Sequence, residues 1–424
     1  MVEGLSFAWL LWRVGPPNLS KPTLVLMISW LHVSWWWGPP FSSEDVWRYL
    51  WDGALWWEGA PTYLYAPSSP FFDALSPPGG ELAELRARVG HAELSTIYPP
   101  GAQQLFRVTT SGGVSLTAWR ASLLFAQLLS FAALGGINAP HSGAWGLAAL
   151  PVLFPVWVFD CALGAHLDAW AVAFGVWGLR YTQGDRPLRA GFMFGLGASV
   201  KLIPGLWGLI VVVRYALERG AQRALSLCVG LTSALLMMSA SSLHELMSFN
   251  QLTGPKSYHL RWVFNDSVFS ALVASFEYID LEVGSPRGAA QVTLGLTLIC
   301  GVLFGFRGAL DRERTRHEET LRVICLCTAL LLIGSPVVYS WYLGWLIVGL
   351  PVRWGRSRYL WVTVAWGVMI PLSYLPRLSV LSGGPWDISP WWRVTEYLSL
   401  GLIFMIRTRY TPPQISPAHT KMIR

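Results

Sequence analysis

Charge is scarce in this chain. Only 13% of its 424 residues are Asp, Glu, Lys or Arg, about half the share of an ordinary soluble domain, and four of the cations are lysines. Such a composition excludes a soluble globular protein, and no stretch of it reads as a separate soluble domain. Cysteine is sparse as well. The five thiols, Cys161, Cys228, Cys300, Cys325 and Cys327, lie in or beside apolar runs without metal-ligand spacing, and are read as packing residues. The sequence lacks a G-x-x-x-x-G-K-[ST] phosphate loop and a serine-hydrolase elbow. It also lacks a basic, aromatic-interleaved surface, so the net charge of +7 implies no nucleic acid. No cleavable signal peptide is evident, because "RVGPPNLSKP" interrupts the first apolar stretch and no small-residue cleavage site follows.

What fills the chain is hydrocarbon. Apolar residues make up 53%, in recurring runs of about 17 to 25 residues, each long enough to cross roughly 30 Å as a helix. The 25 tryptophans suit a protein with much surface at the headgroup level. The expectation is an all-α, multi-pass membrane protein with a single domain over residues 1–424. Spans are predicted near residues 22–38, 115–136, 142–159, 162–180, 224–242, 288–306, 319–335, 340–352, 358–375 and 391–407. Residues 188–214 are basic at both ends and interrupted by Lys201 and Pro204. Two half-helices meeting near Lys201 are expected there, bringing the total to about twelve.

Orientation follows the basic loops, which stay cytoplasmic. Those at 180–189, 214–223, 307–322 and 352–358, and the tail after Arg407, are the basic ones. Both termini are therefore expected inside, with two long loops, residues 39–114 and 243–287, on the outer face. The first holds two amphipathic candidates. In "SSEDVWRYLWDGALWWEG", Ser42 or Ser43 can cap a helix whose Val46, Tyr49, Leu50, Trp56 and Trp57 would lie on the membrane interface. In residues 97–112, Tyr98, Phe106 and Arg107 would anchor a second interfacial helix.

Most acids sit at the outer ends of spans or in outer loops: Asp45, Asp52, Asp160, Asp168, Asp266 and Asp280. Transporters place ionisable groups near the bilayer midplane, whereas this pattern suits an outer-face active site. The blocks "EDVWRYLWDG", "EGAPTYLYAP", "STIYPPGAQQLF", "GAHLDAWAVAF", "GASVKLIPGLW", "RWVFNDSVFSAL" and "GSPVVYSWYLGWL" are similar, in order and approximate spacing, to those of the GT-C integral-membrane glycosyltransferases. The branch they most resemble is family 87, which uses polyprenyl-phosphate mannose. That resemblance, over about residues 40 to 350, implies a hexosyltransferase. It would move a sugar, mannose in the commonest case, from a polyprenyl-phosphate donor to a glycan or glycolipid acceptor on the outer leaflet, with no nucleotide sugar. No cofactor or metal signature is present, and a cation near the outer acids is open to the sequence but not demanded by their spacing. The arginine-rich, lysine-poor composition suits a bacterial inner membrane. A transporter or flippase of lipid-linked sugars, or a non-catalytic relative that binds lipid carriers, is the alternative.

Asp45 matches the acidic residue of the family's first outer loop. Inverting glycosyl transfer needs one carboxylate to accept the acceptor hydroxyl's proton, and Asp45 is the candidate base. Asp52, seven residues on and close to two helical turns, is a candidate sugar contact, unless both acids merely solvate an interfacial helix. Glu44 is read as a helix-start residue. Arg48 is a substrate contact or a partner of Asp45 or Asp52. The departing lipid phosphate needs positive charge, for which Lys201 is the candidate, snorkelling being the plainer reading. Arg261 is a second. His166 and Asp168 are candidate sugar contacts or helix-end polar groups. Asn265, in "FNDS", is a sugar-binding edge or a turn residue. Trp341 and Tyr342 are candidates for a stacking wall. Where the family commonly has His-Pro-Trp-Tyr this chain has Tyr339-Ser340-Trp341-Tyr342, so a histidine is missing there.

Overall fold

A computed structural model describes Ser6 and residues 17–139, 143–248, 253–279, 285–307, 316–349, 358–383 and 390–405. Asp280, residues 308–315 and 350–357 of the basic loops, and the tail after residue 405 lie outside the described residues. The architecture is all-helical, with a single β-bridge between Phe264 and Val337 among the described residues.

The chain opens with α1 (Lys21–Ser34), capped by Ser20, whose hydroxyl accepts from the Thr23 amide. The first long loop then folds into α2 (Asp45–Trp57), α3 (Glu81–Arg88) and α4 (Pro100–Thr109). Neither of the two predicted interfacial helices lies on the surface with its apolar face outward. Val46, Tyr49 and Leu50 of α2 are buried, and the Tyr49 ring stacks on Phe106 of α4 at 4.7 Å. Only Trp57, at 49% exposure, keeps an outward ring, while Trp56 is covered by the Arg107 guanidinium at 3.4 Å. The amphipathic period was read correctly, but the two apolar faces cover each other instead of lipid.

Next come α5 (Leu116–Asn138), α6 (Ala144–Val152), α7 (Pro155–Ala162) and α8 (Asp168–Gln183). Twenty-three residues make α5 about 34 Å long, enough to cross hydrocarbon. A 57° bend separates α6 from α7, at the point where Pro155 disfavours a helical Phe154. The half-helix pair is present as α9 (Pro187–Val200) and α10 (Ile203–Glu218). Lys201 stands in extended conformation (φ −150°, ψ 144°) at the break, with Pro204 in the first turn of α10. α9 packs backbone to backbone on α11 (Ala221–Ser239). A Cβ at Gly191 would stand 2.0 Å from the Leu227 carbonyl oxygen and one at Gly195 2.4 Å from that of Leu231, so this four-residue pair of glycines sets the approach.

The second long loop begins at α12 (Leu243–Met247) and runs through α13 (Thr253–Arg261), followed by α14 (Val268–Ile279). It packs on the first: Ser95 Oγ accepts from the Gly254 amide at 3.0 Å, and Glu245 accepts from the Tyr63 amide at 3.0 Å. The remaining helices are α15 (Pro286–Arg307), α16 (Arg316–Gly334), α17 (Gly344–Ile347), α18 (Arg358–Met369), α19 (Leu375–Leu381) and α20 (Pro390–Met405). The span predicted over 340–352 takes another form. Ser340–Leu343 is a 3-10 turn that runs into the four-residue α17, and residues 340–347 are buried inside the bundle. An apolar run of that length is as suited to a protein core as to lipid.

Among the described residues, the helix beginning at Leu116, the Ala221–Met247 stretch and Pro286–Phe306 are long and apolar enough to cross a membrane, and the bent α6–α7 pair adds a fourth.

Candidate active site

The site is assembled by the N-terminus of α5, which the apolar pattern of that helix conceals. Arg120 is buried, and its guanidinium donates to the carbonyls of Trp36, of Gly38 at 2.9 Å and of Leu163 at 2.9 Å. Beside it, Trp119 Nε1 donates to the Ala165 carbonyl at 2.8 Å. Two adjacent residues thus clamp the segment leading to Asp45 against the 163–167 loop that carries His166. Ala165 holds a left-handed φ of 59°, which turns the chain so that the His166 amide donates to the Asp160 carbonyl at 3.1 Å.

Asp45 opens α2, with its amide bonded to Ser43 Oγ at 3.1 Å. Its side chain keeps 38% of its surface open while protein surrounds it, the geometry of a carboxylate at the floor of a recess. Burial raises its carboxyl above the ordinary range; Lys201 opposes that shift and Asp168 adds to it. The Lys201 ammonium donates to both oxygens of Asp168, at 3.0 and 2.9 Å, and lies over the rings of Tyr342 (4.6 Å) and Trp345 (5.5 Å). Tyr342 in turn shares a 3.1 Å hydrogen bond with the Tyr258 hydroxyl of α13. Trp341 stacks with both His166, at 3.5 Å between ring centroids, and Tyr339, at 4.4 Å. His166 Nδ1 stands 3.8 Å from Asp45 Oδ2.

Of the residues singled out in the sequence, Asp45, His166, Asp168, Lys201, Trp341 and Tyr342 therefore come together. Others have different partners. Asp52 is buried, accepting from Arg48 Nε at 3.0 Å and from Gln103 Nε2 of α4 at 2.9 Å. Arg48 also donates to the Leu94 carbonyl at 2.8 Å, so the pair ties α2 to the first loop. Arg261 is exposed on the last turn of α13. "FNDS" forms a turn: Asn265 has φ 48° and donates to Glu396, and Asp266 accepts from the Ser270 amide at 2.9 Å and from Arg393 at 3.0 Å. His166, in the loop before α8, and Asp168, at its first residue, have different partners, the former Asp45 and the latter Lys201.

Sequence reasoning missed Arg120, Ser42, Tyr258 and Tyr339. A buried arginine in a 23-residue apolar helix was the available signal, since a charge there must have a structural or chemical reason. Tyr258 carried no such signal, whereas Trp341 and Tyr342 of the aromatic wall were legible from their place in the "GSPVVYSWYLGWL" block.

Chemically, the recess combines an enclosed carboxylate open to a ligand, a paired ammonium and a wall of rings. These suit proton abstraction, binding of an anionic group and contact with the apolar faces of a sugar. None of the curated proteins matches the chain. The sequence profile of glycosyltransferase family 87 matches residues 96–336, which takes in His166, Asp168, Lys201 and Asn265 and leaves Asp45, Trp341 and Tyr342 outside. That match covers more than half of the 424 residues, and with the apolar helices it establishes that this integral membrane protein belongs to glycosyltransferase family 87.

Proposed function

We propose that the protein is a polyprenyl-phosphate-dependent hexosyltransferase, mannose being the sugar the family resemblance favours, acting on a glycan or glycolipid acceptor at the outer face of a bacterial inner membrane. In this reading residues 1–424 form one domain and the two long loops roof the recess from outside. Asp45 takes the acceptor hydroxyl's proton as its oxygen attacks the anomeric carbon. The bond from that carbon to the phosphate oxygen breaks on the opposite side, and the polyprenyl phosphate departs with the electron pair. Lys201 meets the charge on the leaving phosphate, held in place by Asp168. Tyr342 and Tyr258 line the sugar's path.

The observation that carries the proposal is the open Asp45 carboxylate in a recess whose opposing charge is the Lys201–Asp168 pair. A lipid donor is further supported by an apolar cavity of about 600 Å³ between α14, α16, α18 and α20, lined by Ala329, Leu346, Trp366 and Tyr397 among others.

The test is transfer by the purified full chain in nanodiscs, given radiolabelled polyprenyl-phosphate mannose or a nucleotide-activated mannose in parallel. Label should leave the lipid and appear on an acceptor, with the nucleotide sugar inert. Turnover of the nucleotide sugar alone would contradict the proposal, and so would movement of the lipid across the bilayer with the sugar still attached.

A further inference from the structure

Behind Asp45 lies a second set of polar groups that the proposed reaction does not use. His166 is fully buried, with Trp341 stacked on its ring, so it cannot reach a sugar. Its Nε2 stands 3.0 Å from Ser42 Oγ and its Nδ1 3.8 Å from Asp45 Oδ2. Farther in is Asp160, 0% exposed, whose two carboxyl oxygens make no hydrogen bond by strict geometry although the Ser42 and Ser340 hydroxyls lie close by. The cluster is closed tightly around Gly164. A Cβ there would stand 2.5 Å from Ser42 Oγ, 2.8 Å from the Asp160 carbonyl oxygen and 3.0 Å from His166 Cδ2.

From this juxtaposition we infer that Asp160, Ser42 and His166 form a buried positioning chain that presents the His166 Nδ1–H to Asp45 and so orients the base. This role rests on Asp45 being the base. The chain can be polarised in two ways. If Ser42 donates to Asp160, His166 must carry its proton on Nε2, leaving a bare Nδ1 against the Asp45 carboxylate and an unpaired charge at the buried end. If Asp160 is the donor to Ser42, then Ser42 donates to Nε2, the ring proton sits on Nδ1, and every donor faces an acceptor. Of these two arrangements the second is the one that leaves no bare charge in the interior and gives the Asp45 carboxylate a donor. The 3.8 Å gap between ring and carboxylate closes by less than 1 Å when the acceptor hydroxyl engages Asp45 from the open side, as such contacts tighten in a loaded site. Trp341 holds the ring plane meanwhile. His166 and Ser42 are thus positioning residues, acting on the acceptor through Asp45.

Nitrogen-15 NMR of histidine-labelled full chain in nanodiscs reads the tautomer directly, with the His166 signal assigned by its loss in His166→Gln. The Nδ1–H form is expected, and a predominant Nε2–H form overturns the chain. Asp160→Asn, which keeps a donor at that place, should retain the tautomer, whereas Asp160→Val should mix it; loss of the Nδ1–H form in the Asn variant overturns the polarity inferred here. Ser42→Ala should lower kcat for transfer from polyprenyl-phosphate mannose about tenfold with KM unchanged, and Ser42→Thr should restore it. An unchanged kcat in Ser42→Ala overturns the role, and if the Asp160 variants fail to fold the Ser42 pair decides. Full activity in Asp45→Asn would instead sink the base assignment, while the tautomer would still report on the chain.

Discussion

A carboxylate that is enclosed yet open to a ligand has its protonation set by what surrounds it. Burial raises the carboxyl of Asp45, Asp168 raises it further, and Lys201, Ser43 and His91 lower it. A base works only when ionised, so transfer should be lost as pH falls through this raised pKa, at a pH above the ordinary aspartate value of about 4. The acidic limb of kcat/KM against pH measures it. In Lys201→Gln the limb should move to higher pH, because the charge that favours the ionised form is gone. A limb that stays fixed would mean that Lys201 does not act on the base. At the same scale, Arg120→Met strands buried carbonyls at Trp36, Gly38 and Leu163. It should cost on the order of 3 kcal/mol in thermal unfolding and separate the two segments that flank Asp45.

At the scale of elements, the site depends on one helix break. Lys201 is presented because α9 ends there and α10 starts two residues later, and α9 is held by its glycine contact with α11. Gly195→Ile should push α9 from the Leu231 carbonyl, lower Tm at a cost of about 2 kcal/mol and reduce transfer by displacing Lys201. Unfolding monitored in detergent, alongside activity, would show both effects; an unchanged Tm would mean that the contact is slack. The break itself was legible in the sequence, because a lysine and a proline inside an apolar run leave few alternatives. The first loop was legible only in part. Its period gave α2 and α4, yet period says which residues share a face and not what covers that face, so Val46, Tyr49 and Leu50 were assigned to lipid when all three are buried in protein, Tyr49 against Phe106 and Trp119. The same limit applied to Asp52. Seven residues from Asp45 was a sound reading of the helix, but Gln103 of α4 occupies its carboxylate, and nothing local announces a partner 51 residues away.

For the whole molecule, bilayer orientation decides which face the chemistry serves. The two long loops interlock through Ser95 with Gly254 and Glu245 with Tyr63, and the proposed reaction has them outside. A cysteine introduced at Glu93, whose side chain is exposed, should react with a membrane-impermeant maleimide in intact cells; labelling only after lysis would invert the orientation. The reading of the chain as membrane-embedded and all-helical came from composition and run length, which need no tertiary information. Convergence of Asp45, His166 and Lys201 from three distant segments, by contrast, was reachable only through the ordered family blocks, since 156 residues separate the first from the last.

The central claim is that Asp45 accepts the acceptor's proton. Single-turnover transfer from polyprenyl-phosphate mannose by the native chain and by Asp45→Asn, which preserves size and removes the basic oxygen, tests it most directly. The account expects the asparagine variant to bind donor normally and to transfer about 10² to 10⁴ times more slowly. Transfer at the native rate with donor binding intact would contradict it.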